Sequence, residues 1–195
     1  MVDNNIEYYN INAESFVAET QNADMSLWRD KFESYVVEGG RVLDAGCGSG
    51  RDSKAFMQHG FSVVAFDASM EMCKAASKLI GQKVCQMKFQ DIAFDAEFDG
   101  IWACASLLHV PYEELPDVMG RLHKALKAEG AIYASFKYGD HKTTKGERTF
   151  SNFTENTAEK LLSEAGFEVK ECGVTGDVRE GRGDERWVNV IAISG

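Results

Sequence analysis

The densest chemical signal in this 195-residue chain is the run Asp44-Ala45-Gly46-Cys47-Gly48-Ser49-Gly50, with three glycines at alternate positions behind a single acid. Glycine permits positive φ and carries no Cβ, so such a run lets a ligand lie directly against main chain. A dinucleotide fingerprint needs a small residue at the sixth position counted from its first glycine, and here Arg51 stands there. No Gly-x-x-x-x-Gly-Lys-Ser/Thr loop occurs either. Asp44 would put negative charge where a pyrophosphate belongs, which suits a ligand that is cationic at that end. Glycine-rich runs also serve as plain tight connections; the spacing and the preceding acid argue for a ligand.

Such a turn needs a strand before it and a helix after it. Residues 42–43 are apolar and lead into the run, and 51–59 predict a short helix ending at Gly60, the residue type favoured just past a helix C-terminus. Residues 62–66 predict a buried strand closed by Asp67, and Ser69 is placed to cap a helix that finishes near Gly81. Strands are predicted at 84–89, followed by Asp91, and at 98–105. A helix with Leu115, Val118, Met119, Leu122, Ala125 and Leu126 on one face runs to about Gly130, before a strand at 131–136. Thr154 caps a further predicted helix, and 169–174 and 187–193 predict two last strands that should pair antiparallel. Strand and helix alternate throughout, which implies one α/β domain over 1–195 with a mostly parallel sheet of seven strands. Its core is expected at 41–195, behind N-terminal helices in 1–40 that stop at Gly39-Gly40.

The charge excludes several classes. Twenty-one Lys and Arg against 31 Asp and Glu leave a net −10, so the overall field repels nucleic acid and anionic lipid, whose binding rests on Lys and Arg. The first residues lack a basic stretch with an apolar run, and no segment reaches the roughly 18 apolar residues of a membrane span. A cytoplasmic protein without membrane or nucleic-acid partners, monomeric or homodimeric, is the expectation. The five cysteines, Cys47, Cys73, Cys85, Cys104 and Cys172, form no Cys-x-x-Cys pair and are expected to be reduced, with no metal site.

Taken in order, Val42 to Gly50, Asp67 closing the second strand, Asp91-Ile92 after the third, and Ala103-Cys-Ala-Ser-Leu-Leu-His-Val110 after the fourth resemble the motifs of class I S-adenosyl-L-methionine (SAM)-dependent methyltransferases. The similarity runs from about Arg41 to Phe136, more loosely to the end, and is greatest to small tellurite-resistance-type and related small-molecule methyltransferases. SAM carries a sulfonium and an ammonium group and no phosphate, which suits the position of Asp44. The resemblance implies a Rossmann-like, doubly wound sheet with an antiparallel C-terminal strand, and S-adenosyl-L-homocysteine (SAH) as the product cofactor. It also implies roles: Gly46, Cys47, Gly48 and Gly50 lie against the methionine part, with Asp44 on the ammonium side and Arg51 near the carboxylate. Asp67 would accept from both ribose hydroxyls, since a carboxylate has two oxygens suited to a diol. Ala68, Ser69 and Met70 would flank the adenine, Asp91 and Ile92 would border its other side, and Ser106 would face the cofactor. Read alone, Asp67 is equally a helix N-cap and Asp91 a solvated loop residue.

Methyl transfer from a sulfonium mainly requires alignment and exclusion of water. A base serves only an alcohol or ammonium acceptor, and His109 is the candidate, with a packing or capping histidine as the alternative. No Asn/Asp-Pro-Pro-Tyr or Pro-Cys motif of base-modifying enzymes is present, which points to a small-molecule acceptor. Tyr9 in the N-terminal lid, Arg148 in the long connection 138–153, and Arg182 and Arg186 in the loop 176–186 are the candidate acceptor contacts. The arginines could equally be paired with Asp177, Glu180, Asp184 and Glu185. A non-catalytic SAM-binding module and a nicotinamide-dependent oxidoreductase are the rival functions.

Overall fold

The computed structural model describes residues 4–146, 148–179 and 181–195, so the expected role of Glu180 lies outside the described residues. β1 (Arg41–Ala45) is an interior strand, third in order, of a seven-stranded sheet. Its side chains alternate, Leu43 and Ala45 entering one core and Val42 the other, as a strand covered on both faces must. The order is β3 (Cys85–Gln86), β2 (Ser62–Asp67), β1, β4 (Phe98–Ala103), β5 (Leu126–Lys137), β9 (Arg186–Ser194), β8 (Phe167–Gly176). β9 is antiparallel to both neighbours and the other pairings are parallel. The doubly wound sheet with one antiparallel strand is therefore as expected.

α4 (Arg51–Gln58) and α5 (Met70–Ile80) cover one face through Phe56, Cys73, Ala76 and Ile80. α6 (Leu115–Ala125) and α7 (Glu155–Glu164) cover the other through Val118, Leu122, Ala158 and Leu162. The order in which strands are added reverses between β1 and β4, the place where open α/β sheets bind ligands.

Residues 4–40 divide between the surface and the core. α1 (Asn4–Ile11) and α2 (Ala13–Thr20) contain no buried residue, whereas α3 (Ser26–Glu33) buries Trp28 and Phe32 with Phe56 and Trp102. Four strands also depart from the periodicity. β3 is only two residues long because Met87 and Phe89 turn toward a cavity instead of continuing the ladder. β4 stops at Ala103, since Ala105 takes φ 51° and its N–H donates to Ser135 Oγ at 2.8 Å. The connection 138–153 holds a hairpin, β6 (Thr143–Lys145) and β7 (Arg148–Phe150), whose strands are too short to show a period.

Candidate functional site

The glycine run follows β1 and turns tightly: the N–H groups of Gly46 and Cys47 both donate to the carbonyl of Phe66 at 2.9 Å. A Cβ at Gly46 would lie 2.5 Å from the Cβ of Ser106, whose Oγ donates to the Ala45 carbonyl at 2.7 Å. The turn is thus clamped against the loop after β4. Gly48 lends its N–H to Asp67 Oδ2 at 2.9 Å, and Ser69 N–H donates to Oδ1 at 2.9 Å. Burial pushes the Asp67 carboxyl above the usual range and these N–H groups oppose it. Each oxygen keeps acceptor capacity beyond its one backbone bond.

Asp44 sits one residue from the end of β1, 2% exposed, and accepts from Ser53 Oγ at 2.5 Å. Burial, and after it the charge of Asp52, pushes its pKa up to about 7. Asp52 was not foreseen, because a helix-first-turn acid gives no distinct sequence signal. It takes both Nε and Nη2 of Arg51, at 3.0 and 2.6 Å, and the indole N–H of Trp102 at 3.0 Å. Arg51 also donates to the carbonyl of Thr20 at 3.3 Å, so it already has partners where a cofactor carboxylate was expected.

These groups line a cavity of about 1130 Å³ between the carboxyl ends of β1, β2, β4 and β5 and the helices α1 and α2. Asp44, Gly46, Cys47, Gly48, Arg51, Asp67, Ala68, Ser69 and Ser106 are on its wall. Four expected cofactor residues are not. Gly50 packs on α5, where a Cβ would meet that of Ala76 at 3.0 Å, and Met70 is exposed on the first turn of α5. Ile92 is buried in the core. Asp91 faces a smaller adjoining pocket with Ala68, Gln86 and Lys88. Met87, Lys88, Phe89 and Gln90 take the place on the wall expected of Asp91 and Ile92, because the short β3 brings them inward.

α1 and α2 are fastened over this cavity. Ser69 Oγ donates to Asn10 Oδ1 at 2.8 Å while capping α5 at Met72 N–H. Asn5 Oδ1 accepts from Thr149 N–H at 2.9 Å, and Arg182 reaches Glu19 at 3.0 Å. Tyr9 and His109 come together, hydroxyl to Nε2, at 2.9 Å, and His109 Nδ1 is 3.4 Å from the Thr149 carbonyl. Burial raises the Tyr9 pKa and Arg148 opposes the rise. Arg148 lies on the wall with its guanidinium 4.0 Å above the Tyr8 ring and 5.4 Å from that of Phe150. Arg186 is not on the wall: it stacks on Tyr138 at 4.2 Å. Arg179 is paired with Asp177 at 2.5 Å and Arg182 also with Glu185 at 3.7 Å. Among the described residues no helix is long and apolar enough to cross a membrane, and no three His, Cys, Asp or Glu cluster as a metal site.

A family model described as a methyltransferase domain matches residues 42–130. A Bacillus subtilis protein that bears a methyltransferase name, YqeM, is 27% identical over 130 residues, 61% of this chain and 53% of its own length. The chain spans little more than half the length of the curated relatives it matches. Among solved structures, the Burkholderia thailandensis 1,6-didemethyltoxoflavin-N1-methyltransferase with bound 1,6-didemethyltoxoflavin and SAH aligns with a TM-score of 0.77 at 21% identity, over 96% of this chain and 89% of that one. The [4+2]-cyclase SpnF aligns with a TM-score of 0.75 at 15% identity, over 97% and 95% of the two chains. A fold shared with a cyclase leaves the activity to be argued from the site. The glycine turn and the family match agree: over residues 42–130 this chain is similar to methyltransferase domains, and its α/β core has the fold of solved SAM-dependent methyltransferases.

Proposed function

We propose that the chain is a SAM-dependent methyltransferase that acts on a small molecule. The observation that carries this is the Asp67 carboxylate, held at the cavity by one backbone N–H on each oxygen and aimed by the same turn that bares Gly46 and Gly48. Such an acid fits a vicinal diol, and the buried Asp44 fits a cationic group 23 residues earlier in the chain. A drug-sized ligand occupies a pocket of about 300–1,000 Å³. The present cavity exceeds that range at about 1130 Å³, which supports a site for cofactor and acceptor together. The toxoflavin-precursor methyltransferase supports the same division by its two bound molecules.

Bound there, SAM supplies an electrophilic methyl group on sulfur. The chain's own part is to hold Asp67 and Asp44 in place, to cover the cavity with α1 and α2 so that water is excluded, and to receive a proton where the acceptor carries one. Tyr9 and His109 are suited to the last task. With Nδ1–H turned to the Thr149 carbonyl, Nε2 accepts from the Tyr9 hydroxyl and holds a proton passed along that bond. Calorimetry with SAM and SAH tests the proposal: both should bind with one site per chain, and Asp67→Ala should weaken that binding by about 10² or more. Binding of NAD in preference to SAM would establish the oxidoreductase instead.

A further inference from the structure

Part of the cavity wall is basic in a chain of net charge −10. Lys137, Lys142, Lys145, Arg148, Arg179 and Arg182 all line it, drawn from β5, the β6–β7 hairpin and the loop after β8. The acids that answer them are few. Glu185 is shared by Lys137, Lys145 and Arg182 at 2.8, 3.2 and 3.7 Å, Asp177 takes Arg179, and Glu19 takes Arg182. Among the described residues neither Lys142 nor Arg148 has a carboxylate within ion-pair distance, and Arg148 Nε is buried without an acceptor.

Arg148 is also the member of this set that is already oriented. Its guanidinium is stacked on Tyr8 and bordered by Phe150, which fixes the plane of the fork and lowers the entropy lost when two parallel N–H bonds form. A buried guanidinium N–H without an acceptor is costly, and an anion on the cavity side removes that cost. Tyr9 and His109 stand beside it, so a molecule held by Arg148 would present its reacting atom near that pair.

We infer that the acceptor is a carboxylate-bearing small molecule, anchored through its carboxylate by Arg148 with Lys142 at the mouth. This rests on the methyltransferase proposal for the same cavity. No covalent step is added: the carboxylate here is a handle.

The test uses two matched pairs of probes, 4-hydroxybenzoate with 4-hydroxybenzamide and mercaptoacetate with mercaptoacetamide, titrated by calorimetry into the SAH-loaded chain. Each carboxylate should bind at least about tenfold more tightly than its amide, as a bidentate charge-assisted contact implies. Arg148→Gln should erase that difference and Arg148→Lys should keep part of it. SAH titrations of both variants report that the fold is intact. Equal binding of acid and amide, a preference that survives Arg148→Gln, or no saturable carboxylate binding would each overturn the inference. Failure of the unaltered chain to bind SAH would overturn the methyltransferase proposal instead, and the acid-amide comparison is then read on the unliganded chain.

Discussion

The hydroxyl of Tyr9 meets Nε2 of His109 at 2.9 Å, which joins a helix at one end of the chain to the turn that follows β4, across the mouth of the cavity. The bond is a latch as well as a proton path. Tyr9→Phe removes one hydrogen bond worth about 1 kcal/mol, so amide exchange over α1 should quicken about fivefold. Exchange mass spectrometry reads this directly, and unchanged protection of residues 4–11 would show that the other fastenings of α1 suffice.

Asp67 carries the greater share of cofactor affinity in this scheme. Two charge-assisted bonds to a diol are worth enough that Asp67→Ala should weaken SAH binding by about 10² or more, measured by calorimetry. Asp67→Asn keeps one acceptor oxygen and should cost about tenfold. An alanine variant that binds as tightly as the unaltered chain would remove the diol contact from the mechanism.

Asp44 predicts a pH dependence. Its folded pKa, pushed up to about 7 by burial and by Asp52, lies above the ordinary 3.8, so the ligand-free fold holds this proton more tightly than the unfolded chain does. The resulting stabilisation is full below pH 4 and is lost as pH rises toward 7, by about 4 kcal/mol at most. A cationic ligand needs the ionised form, so SAM affinity should rise by up to about tenfold per pH unit below 7 and level off above it. Asp44→Asn should flatten both profiles, in calorimetry and in thermal unfolding.

Gly50 tests the packing beneath the turn. It takes φ 80° and a Cβ there would come 3.0 Å from that of Ala76, whereas Gly81, at φ 73°, has open space around it. Gly81→Ala should cost only the left-handed conformation, about 1–2 kcal/mol, and Gly50→Ala should cost that plus the clash. With about 2–4 °C per kcal/mol for a chain of this size, Gly50→Ala should melt lower than Gly81→Ala by several degrees. Equal melting points would mean that α5 yields freely.

What could be read from the sequence was what local chemistry dictates. The glycine run, the acid at the end of β2 and the cap at Ser69 each depend on neighbouring residues, and the structure puts all three where they were expected. Asp52 and Asn10 escaped notice because their partners, Trp102 and Ser69, lie far off in the chain. Ile92 lies in the core: an apolar residue after a strand can face a ligand or the core, and sequence alone does not decide between them. The β6–β7 hairpin, which carries Arg148, has three residues per strand and no period to detect. The arginines differ for a similar reason, since only folding decides that Arg186 stacks on Tyr138 while Arg148 reaches the cavity.

Tyr9 and Asn189 both stand on the wall of one cavity, 180 positions apart in sequence. The glycine turn and β9 lie far apart in the chain, and the cavity takes wall residues from both. A complete wall thus needs the strand that carries Asn189 as well as the helix that carries Tyr9.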